Sequence, residues 1–152
     1  WSEIDLQSRL WRIPAYRMKS GKEHQIPLST AAVTLLETIP RLEVSELLFP
    51  STGDGKISDM TLTAVLRRMD VDATVHGFRS SFKDWCRNCT KYPDEVSELQ
   101  LAHVNNDATR AAYARDELLP QRTRLMQQWC QFLNSKQQSA KVVPIAGFNT
   151  EH

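Results

Sequence analysis

Between Val75 and Asn88, Phe78, Phe82 and Trp85 recur at i, i+4 and i+7, the spacing of one apolar stripe along an α-helix. Three aromatic rings on one stripe need other elements to cover them, which commits the chain to a packed, helix-rich core. The same segment carries His76 and Arg79, three residues apart and so on one helical face, toward an edge of the stripe. A single helix is therefore expected both to anchor the core and to present polar chemistry beside it.

The flanking segments fit that plan. Trp1 to Asp5, Leu10 to Pro14 and Glu23 to Leu28 read as short strands, separated by the polar Gln7-Ser8 and by the Ser20-Gly21 turn signal. They predict a small antiparallel three-stranded sheet whose last turn carries Lys19 to Lys22. Ser29 or Thr30 caps a helix that runs to about Ile39, ended by Pro40. Leu47 to Pro50 is a short apolar step before a loop over Ser51 to Lys56. Ser58 caps Asp59 to Met69, where Met60, Leu62, Val65, Leu66 and Met69 fall at helical spacing. Further helices are expected over Asp94 to Ala102, Asp107 to Ala114 and Leu118 to Leu133. The last of these should turn Leu125, Met126, Trp129 and Phe132 inward. The fold class is α+β, mainly helical with a sheet at the front end.

A chain of 152 residues suits one domain that buries about 70% of its unfolded surface. Its 41% hydrophobic and 24% charged content describes a globular chain. No apolar run approaches the roughly 20 residues of a membrane span, and no leader-like segment opens it, so a cytoplasmic setting and no membrane partner are expected. Three cysteines cannot all pair within the chain, which fits a reducing compartment. Cys86-x-x-Cys89 with His103 downstream could be read as a partial zinc site, but no second pair completes four ligands. Two small residues on the helix of Phe82 and Trp85 is the simpler reading.

The net charge of +1 does not by itself mark a nucleic-acid binder. Its distribution is more informative. From Arg9 to His24 five basic residues (Arg9, Arg12, Arg17, Lys19, Lys22) face only Glu23, and from His76 to Tyr92 four (Arg79, Lys83, Arg87, Lys91) face only Asp84. A basic face of this kind suits phosphates, although solvated surface charge has the same pattern.

The chemistry follows from four residues. Arg79 offers a planar, permanently charged fork for phosphate oxygens. His76 and His103 can move protons or hydrogen-bond a phosphate. Tyr113, ten residues after His103, supplies a hydroxyl that can attack phosphorus. That set can cleave and rejoin a DNA strand without metal.

Five blocks then carry a family resemblance. They are Arg12-Ile13-Pro14-Ala15 through Met18-Lys19, Gln25 to Ser29, Ser58 to Leu62, His76 to Trp85, and Leu101-Ala102-His103 with Ala111 to Arg115. In this order and spacing, over roughly residues 1 to 133, they resemble the catalytic domain of tyrosine recombinases, and among these the phage-type integrases of prophages and genomic islands. The resemblance implies site-specific recombination of mobile DNA through a 3′-phosphotyrosyl intermediate, with no cofactor, no metal and no ATP. It implies Tyr113 as nucleophile and Arg79 as the second of two clamping arginines. His76 becomes the histidine that assists proton transfer, His103 a buttress hydrogen-bonded to phosphate, and Lys19 the general acid for the leaving 5′ oxygen. Lys22 could reach the same phosphate, so the choice between the two lysines stays open. Lys22, Arg17, Lys83 and Arg110 are candidate DNA contacts. Double-stranded attachment sites, a homotetramer on DNA and accessory DNA-bending proteins are the implied partners.

The family's first active-site arginine precedes the tryptophan that Trp1 resembles by about ten residues. Residues 1–134 are therefore expected to form a catalytic domain without that arginine, one that binds DNA weakly and does not recombine it alone. Residues 135–152 form a tail whose Lys141-Val142-Val143-Pro144-Ile145 run either adds a strand to a sheet or stays floppy. A non-catalytic DNA-binding module and a relative of type IB topoisomerases are the alternatives. Loss of cleavage with retained binding on Tyr113→Phe separates the first from an enzyme, and relaxation of supercoils without sequence preference marks the second.

Overall fold

The computed structural model describes residues 1–42, 45–51, 55–103 and 118–135. The front end is the expected antiparallel sheet, in the order β1 (Ile4–Asp5), β2 (Leu10–Ile13), β3 (His24–Pro27). Ile4 pairs with Trp11, and β2 pairs with β3 from Leu10↔Pro27 to Ile13↔His24. The first strand is shorter than its sequence suggests. The Asp5 carboxylate accepts the Ser8 N–H at 2.8 Å, starting the turn, and Arg9 takes a positive φ of 54° to complete it. Between β2 and β3 a 3-10 turn (Ala15–Arg17) leads into the lysine-bearing bend, where Gly21 at φ 61° supplies the left-handed residue.

Five helices follow among the described residues: α1 (Thr30–Thr38), α2 (Asp59–Arg68), α3 (Val75–Cys89), α4 (Asp94–Gln100) and α5 (Leu119–Asn134). Ser29 caps α1 by accepting the Ala32 N–H at 3.3 Å, and Thr74 caps α3 by accepting the Gly77 N–H at 2.9 Å. The α+β class is as expected. The expected helix over Asp107 to Ala114 and the tail from residue 136 lie outside the described residues.

The core sits where α3, α4 and α5 meet. Phe82, Trp85 and Cys86 of α3 pack with Val96 of α4 and Leu125 of α5, and Tyr92, Leu101, Met126 and Trp129 close around them. Phe82 meets Trp129 edge-on at 5.5 Å and 77°, and Trp85 lies 5.0 Å from the same indole. Each such pair adds roughly 0.5–1.5 kcal/mol beyond area burial.

Two parts of the expected stripes are only partly covered. Phe78 is 55% exposed, because the core starts one turn further along α3, and Phe132 at the end of α5 is 44% exposed. Met60 and Leu62 of α2 and Met69 at its end are likewise exposed, and Val65 and Leu66 are half-buried, so that helix's apolar face is only partly covered among the described residues. The C-x-x-C pair divides. Cys86 is buried, with burial pushing its thiol up to about 11 against the opposing charge of Lys83, and Cys89 is exposed.

The sheet is joined to the helices by polar contacts. Arg122 of α5, 3% exposed, donates to the Gln100 side-chain oxygen at 3.0 Å and to the Gln25 carbonyl of β3. Gln127 accepts the Thr30 N–H at 3.0 Å, fixing the start of α1 to the same helix.

Candidate active site

The site grows from the first turns of α3. The Thr74 cap closes tightly, and a side chain at Gly77 would bring its Cβ within 3.1 Å of the Thr74 hydroxyl oxygen. His76 and Arg79 follow on this turn, His76 exposed and Arg79 partly buried.

Arg79 is aimed by α4. Its Nε–H donates to His103 Nε2 at 3.1 Å, and its Nη2 donates to the Leu101 carbonyl at 2.6 Å. Two of the five guanidinium N–H groups are thus used among the described residues. On the other side of the ring, His103 Nδ1 lies 2.5 Å from a Glu98 carboxylate oxygen.

How His103 comes to lie there is a matter of helix termination. Leu101 ends α4 and Ala102 turns left-handed at φ 53°. The His103 N–H then reaches the Glu98 carbonyl at 2.9 Å, and the Ala102 N–H the Leu99 carbonyl at 3.1 Å. This paired 6→1 and 5→2 bonding is the Schellman termination. It leaves the Leu101 carbonyl pointing at Arg79 and folds the imidazole back over the last helical turn.

Glu98 is held in turn by Lys83 of α3, whose ammonium also pairs with Asp94 at 2.7 Å and with the Ser97 hydroxyl at 2.7 Å. Burial alone would raise the Glu98 carboxyl, but the hydrogen bonds from Lys83 and His103, together with the Lys83 charge, outweigh it and hold the group below the ordinary carboxylate range.

Across from His103, the bend between β2 and β3 completes a shallow crevice. Met18, Ser20 and Lys22 line it with Ala102, His103 and Arg122. Lys19 and Lys22 are both exposed, and among the described residues neither ammonium has a hydrogen-bond or salt-bridge partner.

The residues singled out in the sequence therefore divide into four groups. Arg79 and His103 are in direct contact, and His76 lies one turn before Arg79 on the same helix. The lysine bend borders His103 through Lys22. Lys83, expected at DNA, is instead buried with its charge committed to Asp94 and Glu98, since an ammonium this deep requires carboxylate partners. Arg17 lies against Glu3, 2.5 Å from one carboxylate oxygen and 2.6 Å from the other. Tyr113 and Arg110 lie outside the described residues.

Glu98 and the Leu101 carbonyl escaped the sequence reading. Residues five apart on a continuing helix point about 140° away from each other, and only the left-handed turn at Ala102 brings Glu98 and His103 together. A glycine there would have signalled that turn; alanine does not.

Comparison with known proteins fits this geometry. A prophage integrase, IntA, of Escherichia coli strain K12 is 35% identical over 140 residues, covering 89% of this chain and 34% of its own length. The integrase of Enterobacteria phage P4 is 34% identical over 154 residues, covering 88% and 35%. The integrase of Shigella phage Sf6 is 31% identical over 142 residues, covering 90% and 37%. The chain thus spans about a third of the length of these curated relatives. No solved structure gives a significant match. The family model described as "Phage integrase family" matches residues 1–118, and with the Arg79–His103 pair in place the chain belongs to the phage integrase family.

Proposed function

We propose that this chain carries most of the catalytic residues of a site-specific DNA recombinase that breaks and rejoins strands through a tyrosyl–phosphate link. The observation that carries this reading is the Arg79 guanidinium, braced by His103 and the Leu101 carbonyl with three N–H groups uncommitted among the described residues, beside a crevice bordered by the lysine bend. A fixed guanidinium stabilises the charge that builds on non-bridging oxygens during attack at phosphorus.

In the proposed step the Tyr113 oxygen forms a bond to phosphorus as the bond from phosphorus to the 5′ oxygen breaks. The tyrosyl proton passes to a base, for which His76 is the candidate, and the leaving 5′ oxygen takes a proton from Lys19 or Lys22. Reversal with a new 5′ hydroxyl rejoins the strand, and because the phosphodiester energy is kept in the tyrosyl link no nucleotide is consumed. The substrate is a double-stranded attachment site in the cytoplasm, bound by a homotetramer, with DNA-bending proteins as accessory partners.

A nicked suicide duplex tests the proposal in the full-length protein. Tyr113→Phe should retain DNA binding and give no covalent adduct, and Arg79→Ala should slow adduct formation by roughly 10²–10³-fold. Adduct formation by Tyr113→Phe at the original rate refutes the assignment.

A further inference from the structure

The family mechanism gives no part to Glu98, yet this carboxylate has both oxygens engaged. One accepts from Lys83, whose side chain is only 11% exposed, and the other from His103 Nδ1 at 2.5 Å. Lys83 is itself fixed by Asp94 and Ser97. The backbone carbonyl of the same Glu98 accepts the His103 N–H at 2.9 Å. His103 is thus tied to one residue through its main chain and its ring together. On the ring's far side the Arg79 Nε–H meets Nε2 at 3.1 Å.

We infer that Glu98 is a positioning residue, which fixes His103 as the Nδ1–H tautomer and so makes Nε2 the nitrogen that faces Arg79 and any phosphate held there. An imidazole that offers a donor at one nitrogen and an acceptor at the other can be held two ways round, and the partner at one nitrogen decides the role of the other. A carboxylate anchored at both oxygens decides it in favour of Nδ1–H. With the opposite tautomer, an N–H at Nε2 would confront the Arg79 N–H, donor against donor, and the guanidinium would lose one of its two braces. The role toward phosphate rests on the function proposed above; the tautomer does not.

The two can therefore fail separately. In the chain labelled with ¹⁵N-histidine, two-bond ¹H–¹⁵N correlation reads which ring nitrogen carries the proton, with His103 assigned by its loss in His103→Gln. The expected result is a proton on Nδ1 in the native chain and a mixed or Nε2–H signal in Glu98→Met. Should Glu98→Met not fold, Lys83→Met/Glu98→Met removes both members of this largely buried ion pair together, a replacement that proteins commonly tolerate. It should show the same change. An Nε2–H signal in the native chain overturns the inference. So does an unaltered Nδ1–H signal once Glu98 is gone, which would assign the tautomer to Arg79. In the full-length protein, Glu98→Met should slow adduct formation roughly 10–100-fold, the usual cost of losing a histidine's orienting partner, with DNA affinity unchanged. An equal loss of affinity and rate would instead mark Glu98 as structural only.

Discussion

The left-handed turn at Ala102 makes a prediction that can be worked through. Its φ of 53° costs an L-residue about 1–2 kcal/mol, from the approach of Cβ to the carbonyl oxygen. Ala102→Gly removes that cost. Against the gain stand about 0.5–1 kcal/mol for the extra freedom glycine loses on folding, and about 0.4 kcal/mol for a methyl that is half-buried, taking half the value of a buried methylene. The balance is a stabilisation of about 0.5 kcal/mol, or a rise in Tm of roughly 1–2 °C for a domain of this size. Ala102→Val has the opposite sign. A β-branched residue in this region is strained by a further 1–3 kcal/mol or so, which should lower Tm by roughly 3–8 °C. Thermal unfolding followed by circular dichroism measures both. If glycine and valine shift Tm in the same direction by similar amounts, position 102 is not left-handed and the account of how His103 is placed is wrong.

Two further outcomes follow from caps and carboxylates. Thr74→Ala removes the acceptor for the Gly77 N–H and should destabilise the chain by about 1 kcal/mol, read as a lowered urea midpoint; an unchanged midpoint would mean that the cap does not hold α3. Glu98, Asp94, Glu3 and Asp5 all have carboxyls held below their ordinary range in the folded chain. Asp5 lies at about 2, through hydrogen bonds from Ser8 and then Arg12. A lowered folded value means that the unfolded chain binds more protons, so these groups stabilise the fold above the usual carboxylate range, and that contribution is lost as pH falls. For Asp5 the loss spans the interval from 3.8 down to about 2. Urea midpoints measured from pH 6 to pH 2 should fall steadily through that interval, and flat midpoints would contradict the ion pairs described.

Much of the fold was legible in the sequence because its signals are local. Ser29, the Ser20-Gly21 turn and the start of α3 at Val75 each depend on a few neighbouring residues, and each is found where it was read. Exposure was less legible. Phe78 and the apolar residues of α2 have the right period, yet period reports which residues share a face and not whether anything covers it. At the site, Arg79 and His103 could be named from their blocks, whereas their brace could not. Glu98 depends on an alanine taking a glycine's conformation, and Lys83, which reads as a surface cation, is drawn inward by two carboxylates from the next helix.

The guanidinium of Arg122 ties a strand, a short helix and the C-terminal helix to one buried point. Swinging the lysine-bearing hairpin away from the imidazole would strip the Gln25 carbonyl of its Arg122 donor, a loss of about 1.5–3 kcal/mol for a hydrogen bond from a charged group. The basic bend and the histidine are therefore mounted on a common chassis, and a breathing motion that separates them has first to break that bond.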